Sequence, residues 1–176
     1  IEVLEQDCKV YGGYERLDYY KNKNDALEIK VSKPKVTIQE FYSGKPLELK
    51  NGEKLTIYEI LSKDDLWWDE CHDFIQWLFP TVTKSQHCQD APIFTKEDII
   101  VMDSNRYLVK LALERFVSFI QKMDMTRFNH NHLRITRMFE FTSLCSDTLN
   151  LENFFNYCES FLPIKEVKTI NNEPVI

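Results

Sequence analysis

Apolar residues along this chain fall mostly three and four apart, the spacing of helices buried on one side. The strongest run is Trp67, Cys71, Phe74, Ile75 and Leu78, which predicts one central helix opening at Ser62 and stopping at Pro80. Ser62 suits the cap, and Asp64 and Asp65 then occupy a first turn where the helix dipole favours negative charge. Pro80 cannot continue the helix and biases Phe79 towards an extended backbone. A second stripe (Leu108, Leu111, Ala112, Phe116, Phe119, Ile120, Met123) predicts a well-buried helix capped by Ser104 and reaching about Lys122. Asn131 is placed to cap a helix from His132 to Leu144. Asn150 would cap a last one carrying Leu151, Phe154, Phe155, Cys158, Phe161 and Leu162 on one face, ended by Pro163.

Shorter elements fill the gaps. Ser32 and Pro34 predict the start of a helix through Tyr42, closed by Gly44. Thr56 and Glu59 have capping-box spacing, and Thr95 to Asp98 leads into a short helix to about Met102. Asn51-Gly52 marks a turn inside a polar loop at 45–54, and 81–94 reads as a linker. Leu27, Ile29 and Val31 alternate with polar residues, a short strand signal. The expected architecture is mainly α: one compact domain of five to seven helices over 34–163. It is flanked by an N-terminal appendage at 1–33, with a short strand or hairpin, and a tail at 164–176 that includes a strand near 167–170.

Composition sharpens this. Of 176 residues, 43% are hydrophobic and 13% aromatic, enough to build a core, while four glycines leave little room for a turn-rich β fold. A net charge of −6 argues against general nucleic-acid binding, which needs a basic face. No apolar run is long enough to span a membrane. Five cysteines at irregular spacing, three of them in apolar helical surroundings, read as reduced thiols of an intracellular protein, cytoplasmic or nuclear. The chain opens on Ile1, as expected of a piece of something longer.

The candidate chemistry gathers in two segments. In the second, Arg134 and Arg137 share a helix face, and Asn129, His130, Asn131 and His132 crowd that helix's start, where free N–H groups and the dipole favour an anion. Two uses of this cluster stand open. The arginines can pair with Asp69, Glu70 or Asp73 and tie the two segments together, or the cluster can receive a ligand. In the first segment, Gln76 and Trp77 have the composition of a binding platform, with burial of Trp77 under the 81–94 linker as the alternative. His72 is expected at the edge of the core. His72, His87, Cys88, His130 and His132 include usable zinc ligands but match no metal-binding spacing, so no metal and no cofactor is expected. Tyr11-Gly12-Gly13-Tyr14 has the look of an enkephalin start, a match expected by chance in so short a stretch.

The two segments, His72-Asp73-Phe74-Ile75-Gln76-Trp77-Leu78-Phe79-Pro80 and Asn129-His130-Asn131-His132-Leu133-Arg134-Ile135-Thr136-Arg137, resemble the opioid growth factor receptor conserved region. The resemblance extends through Phe41-Tyr42-Ser43-Gly44 and Ser85 to Pro92, and covers roughly 37–162. It implies a receptor-like recognition module, not an enzyme, that takes a peptide, a protein or a small anionic ligand near the junction of the two motifs. The alternatives are an enzyme on a phosphate-bearing or nucleotide-like substrate, and a purely structural domain of a larger protein.

Overall fold

A computed structural model of the chain describes residues 34–85 and 88–149, together with Leu151, Asn153 and Asn156. The expected strand at 27–31, the start at Ser32, most of the helix beyond Asn150 and the tail lie outside the described residues, as does His87. Within them the fold is mainly helical with one two-stranded antiparallel sheet.

The first helix, α1 (Ile38–Tyr42), opens on a capping box: Thr37 Oγ1 accepts from the Glu40 amide, and the Glu40 carboxylate accepts from the Thr37 amide. It closes on Gly44, whose φ of +101° suits a residue without Cβ. The Gly44 amide donates to the Phe41 carbonyl and the Lys45 amide to that of Glu40, the Schellman pattern. The loop expected at 45–54 is a hairpin of β1 (Leu47–Glu48) and β2 (Lys54–Leu55), with Leu47 opposite Leu55. Gly52, at φ +91°, and Asn51, whose side chain accepts from the Glu53 amide, shape its turn. A second capping box, Thr56 with Glu59, opens α2 (Ile57–Leu61).

The central helix is corrected. Ser62 ends α2, and Asp64 caps α3 (Asp65–Glu70) by accepting from the Trp67 amide. The chain then breaks: Cys71 is extended (φ −89°, ψ 126°), and helix resumes only as α4 (Ile75–Leu78). The reason lies in what must be buried. Trp68 and Trp77 are nine residues apart, so a straight helix would set them on opposite sides, about 180° round. Both are fully buried, as are Phe74, Leu78 and Phe79. The break turns both faces inward. Asp73 anchors it: one carboxylate oxygen accepts from the Lys50 amide at 2.7 Å, the other from the Cys71 thiol at 3.4 Å.

Downstream, α5 (Asp98–Ser104) and α6 (Arg106–Ile120) abut at Asn105, so Ser104 ends a helix and does not cap the next. Leu111 of the predicted stripe is 36% exposed and Met123 only partly buried, while Val109, Leu113 and Val117 are buried in addition to the rest. The last described helix, α7 (His130–Leu149), begins two residues earlier than expected and runs five longer. It packs on α5 and α6, while α2 packs on α6 and α1 on α5. Buried rings are tied across the core by their polar atoms. Tyr42 donates to the Leu78 carbonyl (2.6 Å), Trp68 to Ile60 (3.0 Å) and Trp77 to Val36 (2.8 Å). Cys71, Cys88 and Cys145 are free, buried thiols, and burial pushes the Cys71 thiol up to about 12, which keeps it protonated and inert. No helix among the described residues is long and apolar enough to cross a membrane.

Candidate functional site

The break between α3 and α4 leaves carbonyls without helical partners. Arg134, on the second turn of α7, takes two of them: its guanidinium donates to Trp68 O and Cys71 O, each at 2.6 Å. It lies over the rings of Phe74 (5.6 Å) and Phe119 (5.8 Å) and is only 4% exposed. Desolvation pulls its pKa down to about 10, with Asp69 opposing, so it remains charged at neutral pH. Arg137, one turn on and half-buried, donates to Phe79 O at 3.0 Å, at the end of α4. Each arginine therefore closes the C-terminal end of one short helix, where the dipole also favours a cation.

These partners correct the pairing expected from the sequence. Asp69 is the one carboxylate of the three that meets the second motif. It accepts from the Asn131 side-chain Nδ2 and from His130 Nε2, both at 3.0 Å. His130 Nε2 also lies 3.0 Å from the Asp69 carbonyl, which can only accept, so that nitrogen carries the proton. Asp73 faces the hairpin, and Glu70 is exposed and outside the network. Asn131 does not cap α7. Asn129 does, its side-chain oxygen accepting from the Asn131 backbone N–H at 2.9 Å, while its side-chain Nδ2 donates to Asp124 O and Arg127 O. His132 is buried against Phe128, with Nδ1 accepting from the Asn129 backbone N–H. Trp77 is sealed in the core and is no surface platform. His72, expected at the core edge, is exposed, with its ring 4.7 Å from that of His130.

A cleft of about 300 Å³ opens where the two segments meet. Of the expected residues, Gln76, His130, Arg134 and Arg137 line it; Asn129, Asn131, His132 and Trp77 do not. His72 stands in its wall beside His130, and Ile75 and Leu133 supply apolar surface. The polar lining not foreseen is Lys84 with Thr81, Thr83 and Ser85 from the linker, and Glu140 from α7. Glu140 was legible: 130, 133, 137 and 140 are one helical face. The linker residues carried no periodic signal.

The electrostatics are mixed. Glu140 is 2% exposed and accepts from the Thr83 hydroxyl at 3.2 Å, and its charge counters the desolvation that lowers the Arg137 pKa. The Gln76 amide donates to His72 O at 3.0 Å, while its oxygen is buried without a hydrogen-bond partner among the described residues. Such an orphan costs on the order of 1–3 kcal/mol. Among the described residues no group of three or more His, Cys, Asp and Glu is placed to hold a metal ion.

Replacing Arg134 with Met orphans two carbonyls, and the expected loss is about 3 kcal/mol in chemical denaturation; a loss under about 0.5 kcal/mol would refute the clamp. Asp69 adds a pH dependence. The Asn131 amide, then His130 and Arg134, hold its carboxyl below the ordinary 3.8. Its stabilisation is therefore complete well above pH 3.8 and is lost as pH falls through the lower folded value. Being partly exposed, the pair is worth less than about 1 kcal/mol. Asp69→Asn should flatten the acid limb of the stability curve by that amount, and an identical limb in both proteins would contradict the assignment.

Compared with known protein families, curated proteins and solved structures, the chain matches none.

Proposed function

We infer that the protein is a non-enzymatic recognition module, of the kind suggested by its likeness to the opioid growth factor receptor conserved region, and that it holds a small anionic ligand in the cleft between its two motifs. The observation that carries this reading is the convergence: Gln76 from the first motif and His130, Arg134 and Arg137 from the second line one cavity. At about 300 Å³ it is at the small end of ligand pockets, which favours a compact molecule over a long peptide or a protein surface. Arg137 gives one N–H to Phe79 and has further donors, and Lys84 adds a second cation.

One observation supports the structural alternative for part of the motif. Arg134 is almost wholly enclosed, with its donors on two backbone carbonyls and the Asn131 side-chain oxygen, so its role is to fix the wall and not to bind. Ligand contact then falls to Arg137, Lys84 and His130.

A thermal-shift screen with inorganic phosphate, ribose 5-phosphate, small carboxylates and short peptides tests the reading. A ligand at 100 times its Kd adds about 2.7 kcal/mol to stability. At least one anion should raise Tm by several degrees, without being consumed, and Lys84→Ala should weaken it about tenfold. Binding untouched by Lys84→Ala and Arg137→Met, or no shift from any anion, would sink the proposal.

A further inference from the structure

The hairpin leaves one edge open, and its register decides what that edge can hold. The Leu49 amide donates to Glu53 O at 2.8 Å, so these two residues form the closing hydrogen-bonded pair. Pairs alternate along an antiparallel ladder, which makes Glu48 and Lys54 a non-hydrogen-bonded pair. The Glu48 N–H and C=O therefore point away from β2. Among the described residues no strand and no backbone group takes them up. The open stretch is bounded at both ends: Pro46 has no N–H, and the Lys50 N–H is held by Asp73 at 2.7 Å. Glu48, between them, presents one donor and one acceptor to an added strand.

A groove of about 420 Å³ lies where this edge meets the segment before α1, and it shares no lining residue with the cleft. Val36, Pro46 and Leu49 give it apolar surface, and its charges are Lys35, Lys45, Lys50 and Lys54 against Glu48. Lys45 is engaged by Glu40 at 2.8 Å. Lys35 and Lys54 are exposed and make no ion pair among the described residues. Their excess over Glu48 makes the groove locally basic in a chain of net charge −6. Lysines and a proline also keep an edge from pairing with its own copy, which disfavours a second molecule of this chain. We propose that the β1 edge receives a short, extended, acidic segment of a partner protein, added as a third, antiparallel strand. Glu48 and Lys54 share the outer face of the hairpin, and the residue paired with Glu48 joins that row. An acid there would face Glu48, so the carboxylates belong two residues to either side, towards the lysines. The residues between them turn to the apolar surface.

An amide-detected NMR titration of the full chain with the blocked peptide Asp-Val-Thr-Val-Asp tests it. The Glu48 amide should shift, together with those of Lys35 and Lys54. Lys-Val-Thr-Val-Lys should bind about ten times more weakly, and Asp-Val-Asp-Val-Asp more weakly than the parent despite its extra charge. Methylating the central peptide nitrogen removes the donor to Glu48 O and should cost about tenfold. Lys35→Ala combined with Lys54→Ala, both at exposed positions, should cost about tenfold at low salt. Equal binding of the methylated peptide, or the same shifts from inorganic phosphate, overturns strand addition. An unmoved Glu48 amide at about 1 mM peptide overturns the site altogether.

Discussion

The interaction on which the structure depends is the fork of Arg134 across the carbonyls of Trp68 and Cys71. The chain must bury Trp68 and Trp77, and a straight helix cannot bury both. Breaking it frees backbone acceptors inside the core, where water cannot reach and each unpaired group costs about 1–3 kcal/mol. A guanidinium offers several donors in a rigid plane, so one side chain satisfies two carbonyls at once. Lysine, a flexible point charge, has no such fork. The cost of burying a cation is offset by those bonds, by the Phe74 and Phe119 faces and by Asp69 nearby.

The same device builds the cleft. With Arg134 on the end of α3 and Arg137 on the end of α4, α7 is pinned alongside the broken segment at two points one turn apart. His130 and Asn131 add a third tie through Asp69. The face of α7 that makes these ties also carries Leu133 and Glu140, and the segment after Pro80 brings Thr81, Thr83 and Lys84 opposite. Fold and candidate site thus share residues, which is why the motif arginines divide into one enclosed clamp and one cleft-lining cation.

How much of this could be read beforehand depended on range. Local signals were reliable: the Thr56–Glu59 capping box, the Gly44 stop and the apolar face of α6 all formed, and the mainly helical class followed from them. The Thr37–Glu40 box, equally legible by its spacing, sets the start of α1 instead of Ser32. The break at Cys71 was hidden because Trp67, Cys71, Phe74, Ile75 and Leu78 keep helical spacing through it. Only the demand to bury Trp68 and Trp77 together, and the reach of Asp73 to the hairpin, override that pattern. In the site, the region was foreseen and its details were not. Carboxylate partners were expected for the arginines because charge is visible in a sequence, whereas a vacated backbone carbonyl is not.

Amide hydrogen exchange in an Arg134→Lys protein tests the central claim most directly, since it keeps the charge and removes the fork. The account predicts that protection falls together across 67–79 and at the start of α7, while the interior of α6 keeps its native rates. Unchanged protection across 67–79 would contradict it, and the break would then have to be held by Asp73 and ring packing alone.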